Sequence, residues 1–298
     1  MKILIIGSGG QLGTDCIDIL SPNHHVVPID YPAINIADAK SVNTICGEHR
    51  PDVIINCAAY TAVDKCETET AAAWAVNADG PRFIGEAAAT IGARVIHVST
   101  DYVFDGHKPV PGAYTEDDPV NPLSEYGKSK LAGERNLLEP CPDAVILRTA
   151  WLYSASGPNF LKTMLRMALS DPRRSFTIVN DQFGSLTWSY TLARQIDRLL
   201  ERDLHGIMHT TSDGYSSWYE AACYFLEKMG VEHSFMPCTT EDYPTPAHRP
   251  ANSILQNKVL DENGISVFTS WQDDVDTLVD RYGDTLIEET RKLLEQNS

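Results

Sequence analysis

A tyrosine followed four residues later by a lysine is the first feature of this sequence that can do chemistry. The pair is Tyr126 and Lys130, within LSEYGKSKLAGE at residues 123–134. On an α-helix, residues four apart return to one face, whereas Lys128, two residues on, points to roughly the opposite side. A free phenol titrates near about 10 and is a poor acid or base at neutral pH. An ammonium beside it favours the phenolate and eases proton loss. Alone, such a pair is most often an ordinary charged helix face, so its meaning depends on what else the chain brings to it.

Three other stretches supply that context. The first apolar run ends in a glycine-rich turn in which Gly7, Gly10 and Gly13 frame Gln11 and Leu12. Glycines there allow a tight turn, close backbone approach to a pyrophosphate, and close packing of helix on strand. The N-terminus of the helix that follows then faces the anion. Asp30 ends the second apolar run, where an acid accepts hydrogen bonds from adenosine ribose hydroxyls and repels a 2′-phosphate. A strand-end aspartate capping a turn would look the same on position alone. No arginine follows it, since Tyr31 does. The expected cofactor is therefore NADH or NADPH, with a lean to NADH. After the third run, Asn56 leads into Cys57, Ala58, Ala59, Tyr60 and Thr61, small or thin enough to let a cofactor lie against backbone. After the fourth, Ser99, Thr100 and Asp101 place hydroxyls and a carboxylate where open α/β sheets bind ligands. Read singly, these last three are turn or cap residues.

The elements that must position these groups follow from hydrophobic pattern. KILII (2–6), HVVPID (25–30), DVIINCA (52–58), RVIHVS (94–99) and AVILRTA (144–150) read as buried strands. Helical patterns separate them, including one long helix over 70–92. Continuous Val/Ile runs alternating with helices predict a parallel sheet covered on both faces, hence a doubly wound α/β fold of Rossmann type. After about residue 150 the rhythm changes to helices with few short strands, predicting a smaller mixed α/β lobe that selects substrate. The expected division is 1–150 plus about 180–212 for the dinucleotide, and about 151–179 plus 213–298 for the substrate. Residues 237–253 read as an irregular loop. The tail 270–296 reads as an amphipathic helix pair broken near Gly283.

Composition narrows the class. The chain has 298 residues and a formal net charge of −17, which disfavours nucleic acid and anionic membranes as partners. No apolar run approaches a membrane span. MKILIIGSGG starts like a leader, but its short apolar run ends in a glycine turn, as a buried strand would. Seven scattered cysteines without a C-x-x-C fit reduced thiols in the cytoplasm. The pair at His24 and His25 reads as solvent-facing residues before a strand, not a metal site.

GSGGQLG, NCAAYTAVDKCE, VNADG, STDYVFDG, YGKSKLAGE, RTAWLY, NDQFGSLT and RPANSIL occur in this order between residues 7 and 255. In these the sequence resembles the extended short-chain dehydrogenase/reductases, and among them the dTDP-4-dehydrorhamnose reductases. The resemblance implies Gly10, Gln11 and Leu12 at the pyrophosphate and Asp30 at the adenosine ribose. Asn35 and Ile36 would lie near the adenine, and Ala58, Ala59, Tyr60 and Thr61 beside the cofactor. Thr100, Tyr126 and Lys130 match the catalytic triad, Asp101 and Trp151 the substrate contacts. Arg249, in the 237–253 loop, is expected at the substrate pyrophosphate, although a surface ion pair is as good a reading. Three departures touch cofactor preference rather than the triad: Asn35 for an aspartate, Leu186 for the proline of GSPT, and Tyr31 for a basic or small residue. Some members hold magnesium through glutamates at a dimer contact. Thr14 and Asp15 occupy the early acidic region here, so Mg2+ and a homodimer stay open.

The implied reaction is NAD(P)H-dependent reduction of the C4 keto group of a nucleotide-linked 6-deoxy sugar. Tyr126 would donate the proton, Thr100 a second hydrogen bond, and Lys130 would hold ribose hydroxyls and ease proton loss from Tyr126. Tyr102 after Asp101 argues against a 4,6-dehydratase, which has a glutamate there. A nucleotide-sugar 4-epimerase and a non-enzymatic dinucleotide-binding subunit, like the β subunit of methionine adenosyltransferase, are the alternatives.

Overall fold

The computed structural model describes residues 1–296. The first half is built as strand and helix in turn: β1 (Lys2–Ile6), α1 (Gln11–Leu20), β2 (His25–Ile29), α2 (Ala39–His49) and β3 (Val53–Asn56). Next come α3 (Val63–Cys66), α4 (Thr70–Trp74), α5 (Gly80–Ile91), β4 (Arg94–Thr100), α6 (Glu125–Leu138) and β5 (Val145–Thr149). The central strands are short Val/Ile-rich runs with both faces buried, as a sheet sandwiched between helices requires. Ile3, Ile5, Ile55, Ile96 and Leu147 pack toward one helical layer. Their alternates Leu4, Ile6, Ile54, Val95 and Ile146 pack toward the other.

The second half continues with β6 (Leu152–Tyr153), α7 (Phe160–Ser170), β7 (Ser175–Val179), β8 (Phe183–Gly184), β9 (Thr187–Trp188) and α8 (Ser189–Leu200). It ends with β10 (Gly206–His209), β11 (Ser216–Ser217), α9 (Trp218–Lys228), β12 (Ser234–Cys238), β13 (Asn252–Ser253), α10 (Lys258–Glu262) and α11 (Trp271–Gln296). The main sheet runs β10-β5-β4-β3-β1-β2, and every pairing in it is parallel. The chain reverses its direction of travel across the sheet after β2, so the carboxyl ends of β1 and β3 flank a crevice, the place where such sheets bind ligands. The doubly wound fold is as expected. A separate core forms in the second half around Leu165, Phe225, Leu226, Val275 and Leu278, from α7, α9 and α11.

Three expectations are corrected. The stretch over 70–92 is not one uniform α-helix, because a π turn at Ala75–Asp79 separates α4 from α5. Pro81 has no N–H to offer the carbonyl of Asn77 four residues back. That carbonyl turns instead toward Gly133 on α6, so close that a Cβ there would lie 2.0 Å from it. The tail is one helix, α11, and Gly283 does not break it. Glycine costs a helix only about 1 kcal/mol, and here it is buried on the face that carries Val275, Leu278 and Leu286 into the core. His24 is not solvent-facing: its side chain is 15% exposed and its Nε2 lies 3.5 Å from Asp197 Oδ1, so only His25 is open.

Candidate active site

A cavity of about 750 Å³ opens at the carboxyl ends of β1, β3, β4 and β5. The glycine turn forms its floor. Gly7 has φ +79°, and a Cβ there would sit 2.7 Å from the Ala58 nitrogen. A Cβ at Gly13 would sit 2.2 Å from the Gly7 carbonyl oxygen, so only glycine lets α1 close on the turn. Gly10 caps α1 and Gln11 and Leu12 begin it, aiming free N–H groups of the first turn at the cavity. A diphosphate fits that cradle, and with it a dinucleotide.

Asp30 follows β2 and accepts from the Gly9 amide through Oδ2 and from the Tyr31 amide through Oδ1, both at 2.7 Å. Asn35 and Ile36 line the same end. Asn35 accepts from the Ala37 amide at 3.1 Å, and Ile36 is buried. The loop after β3 supplies Ala58, Ala59, Tyr60 and Thr61 to the wall. Asn77, on the π turn, receives the Tyr60 amide at 2.8 Å and returns its own amide to the Tyr60 carbonyl at 3.1 Å. The Tyr60 phenol donates to Glu69, which pushes it up to about 12.

Tyr126 and Lys130 come from the first two turns of α6, which starts where the Ser124 hydroxyl accepts from the Gly127 amide. Both face the cavity, whereas Lys128 points out to Glu125. Gly127 lets the helix approach the loop after β4, since a Cβ would meet the Tyr102 carbonyl at 2.2 Å. A further turn along the same face, buried Glu134 takes two hydrogen bonds from Arg148 on β5, at 2.9 and 2.7 Å, and one from Ser99 at 2.5 Å. This ion pair pins α6 to the sheet beneath the face that carries Tyr126 and Lys130.

The Tyr126 phenol is shifted by burial, Thr100 and Asp101, and Lys130 is not among the causes. Burial pushes the Tyr126 phenol well up, with the nearby Asp101 adding to the rise and a hydrogen bond with Thr100 opposing it. Lys130 is itself buried and drawn down to about 8 by desolvation, against the upward pull of Glu134 and Cys57. Its Nζ donates to the Val98 carbonyl at 2.7 Å. The phenol therefore carries its proton at neutral pH.

Thr100 closes β4, where its hydroxyl donates to Asp101 Oδ1 at 2.8 Å and accepts from the Tyr102 amide at 3.2 Å. Burial lifts the Asp101 carboxyl to about 6, with the Ser253 and Thr100 hydroxyls pulling it back. Trp151 adopts φ +46° just after β5 and stacks on Trp218, ring centroids 3.5 Å apart and planes 8° from parallel. Gly184 leaves room for it, as a Cβ would meet Trp151 Cε2 at 2.4 Å.

Every residue expected at the site lines this cavity except Arg249. Arg249 instead forms a two-pronged pair with Asp64 of α3, at 2.9 and 3.0 Å. Sequence reasoning missed Trp218, Gly157 and Pro158, which close the far wall. The signal for Trp218 was present: Ser217 and Glu220 form a capping box, which fixes Trp218 as the first residue of α9. Among the described residues no group of three or more His, Cys, Asp or Glu could hold a metal ion. Asp15 in particular is taken up by Ser154 and Ser189.

The doubly wound sheet, the glycine cradle and the Thr–Tyr–Lys face define an extended short-chain dehydrogenase/reductase. The chain belongs to the RmlD substrate binding domain family, whose model matches residues 1–283. It is similar to a dTDP-4-dehydrorhamnose reductase of Aggregatibacter actinomycetemcomitans, 40% identical over 286 residues, covering 91% of this chain and 96% of that protein. A solved dTDP-4-dehydrorhamnose reductase of Clostridium acetobutylicum superposes with a TM-score of 0.90 at 40% identity, covering 94% and 99% of the two chains. One from Bacillus anthracis, in complex with NADP, superposes with a TM-score of 0.90 at 35% identity over 94% and 99%. The expectation from the sequence motifs is met.

Proposed function

We propose that this chain reduces the C4 keto group of a nucleotide-linked 6-deoxy sugar with NAD(P)H, converting dTDP-4-dehydro-L-rhamnose to dTDP-L-rhamnose. The observation that carries this is the meeting of Thr100, Tyr126 and Lys130 in the cavity floored by the glycine turn. The bound nicotinamide supplies the hydride that reaches C4. Tyr126 gives its proton to the carbonyl oxygen as charge develops there, and its upward-shifted phenol carries that proton at working pH. Thr100 turns its hydroxyl from Asp101 to the same oxygen and adds a second hydrogen bond. Lys130 holds the nicotinamide ribose. Asp101 and the stacked Trp151 receive the sugar, and Arg249 reaches the substrate pyrophosphate by exchanging Asp64 for it.

The remaining assignments belong to the same proposal. Gly7, Gly10, Gln11, Leu12 and Gly13 hold the cofactor pyrophosphate, Asp30 its ribose, Asn35 and Ile36 its adenine, with Ala58 to Thr61 alongside. The dinucleotide lobe is 1–150 plus about 180–212, and the rest of the chain selects substrate. NADH is preferred over NADPH: the adenosine end of the cavity presents Asp30, Tyr31 and Asn35, and Lys130 is the one lysine or arginine lining it among the described residues. A 2′-phosphate would meet a carboxylate there and no cation. Titration of both cofactors tests this; equal or tighter NADPH binding, or no narrowing of the gap in Asp30→Ser, would sink it.

All seven cysteines are free, which supports a cytoplasmic setting. No helix among the described residues is long and apolar enough to cross a membrane. The homodimer stays part of the proposal, and sedimentation reads it directly. The deciding experiment incubates the protein with NADH and a panel of nucleotide 4-ketosugars, then assigns product stereochemistry. Tyr126→Phe should lose turnover by at least about a hundredfold while NADH still binds. A 4-epimerase would not consume NADH stoichiometrically, and a binding subunit would take it up and reduce nothing.

A further inference from the structure

A second buried polar chain lies behind Lys130, and the reaction as described does not use it. It starts at the Ala58 amide, which donates to Asn56 Oδ1 at 3.1 Å. A backbone N–H can only donate, so the Asn56 amide is oriented with its Nδ2 toward His97 Nδ1, 3.0 Å away. His97 Nδ1 is therefore the acceptor. His97 is 1% exposed, and burial together with the Lys130 charge holds it neutral by drawing its proton affinity well down. A neutral imidazole that accepts at Nδ1 carries its hydrogen on Nε2. That Nε2 faces Lys130 Nζ at 3.4 Å.

An ammonium has three donors and no acceptor, so an N–H aimed at it is repelled, whereas a neutral amine accepts it. The Val98 carbonyl takes one Lys130 proton from another side. The opposing charge is Glu134 on α6, which favours the ammonium. Tyr126 lies one turn back on the same helix.

We propose that His97 is a positioning residue for Lys130: fixed through Asn56 by the Ala58 amide, it presents an N–H to the Lys130 amine and sets that side chain's direction and proton count in the cofactor cleft. Because Ala58 borders the cavity, contact of a dinucleotide with the 57–61 loop acts on the same chain of hydrogen bonds. The inference rests on Lys130 as a cofactor contact, the role given to it above.

Two measurements test it without the sugar substrate. Nitrogen-15 NMR of histidine-labelled protein, with His97 assigned by its loss in a variant, should show a neutral Nε2–H imidazole from about pH 6 to about pH 9. An Nδ1–H tautomer or an imidazolium in that range overturns the proposal. NADH affinity should weaken about tenfold between pH 7 and pH 9 as Lys130 loses its proton. In His97→Phe, with its fold verified by circular dichroism, the midpoint should move up and the weakening should fall below about threefold. An unmoved midpoint in the folded variant overturns it. If both results hold yet no ketosugar is reduced, the catalytic reading fails and the role of His97 stands.

Discussion

Removing either partner of the Glu134–Arg148 pair should destabilise the protein severely, whereas removing both should not. Their side chains are 2% and 3% exposed, and the pair joins α6 to β5 through two hydrogen bonds of 2.9 and 2.7 Å. Glu134→Leu leaves a guanidinium buried between the sheet and Phe104, 5.4 Å from its ring centroid, with no other carboxylate bonded to it among the described residues. An uncompensated buried charge of this kind costs about 3–5 kcal/mol. Arg148→Met leaves a carboxylate that keeps, among the described residues, only the Ser99 hydroxyl as a hydrogen-bond partner, and should cost a similar amount. The double variant deletes both charges and fills the space with aliphatic carbon, so it should fall within about 1–2 kcal/mol of wild type. Urea unfolding followed by fluorescence and circular dichroism would give the four corners of the cycle. Because Glu134 also favours the Lys130 ammonium, Glu134→Leu and the double variant should both bind NADH more weakly than wild type, even where the double variant regains stability. Single costs below about 1 kcal/mol, or a double variant as unstable as the sum of the singles, would refute the argument that the charges are buried and matched.

Two further outcomes follow from packing and burial. Gly133→Ala should destabilise by about 1–3 kcal/mol despite the better helix propensity of alanine, because its Cβ would lie 2.0 Å from the Asn77 carbonyl; a raised Tm would show that α6 and the π turn are not in close contact. His209 is fully buried and held neutral at about 3, by desolvation first and then by the Arg148 charge. The unfolded chain binds that proton below about pH 6.5. Stability should therefore fall as pH drops from about 6.5 toward 3, by up to about 1.4 kcal/mol per unit from this group. His209→Gln should flatten that slope, and an unchanged slope would refute it.

The first five strands of the main sheet and most residues that line the cavity were legible in the chain because their signals are local. Buried parallel strands are continuous Val/Ile runs, and a helix returns Tyr126 and Lys130 to one face whatever surrounds it. The glycine turn likewise declares itself, since backbone approach demands residues without a side chain at Gly7 and Gly13. Helix ends were less legible. Gly283 reads as a break until the core gives α11 a reason to continue, and the π turn depends on Pro81 withholding a bond that Gly133 then makes room for.

What the linear pattern could not contain is the electrostatic state of the site. Spacing alone says that an ammonium lies near a phenol; it does not say how much water either retains. Desolvation raises Tyr126 and lowers Lys130, so the burial of each group is the largest cause of its shift. Residues distant in sequence determine that outcome: Asn56 and His97 behind the lysine, Arg148 and Ser99 around Glu134, and Asp64 holding Arg249 away from the cavity. Periodicity specifies which way a side chain points along its own element, but burial and partner geometry are properties of the packed whole.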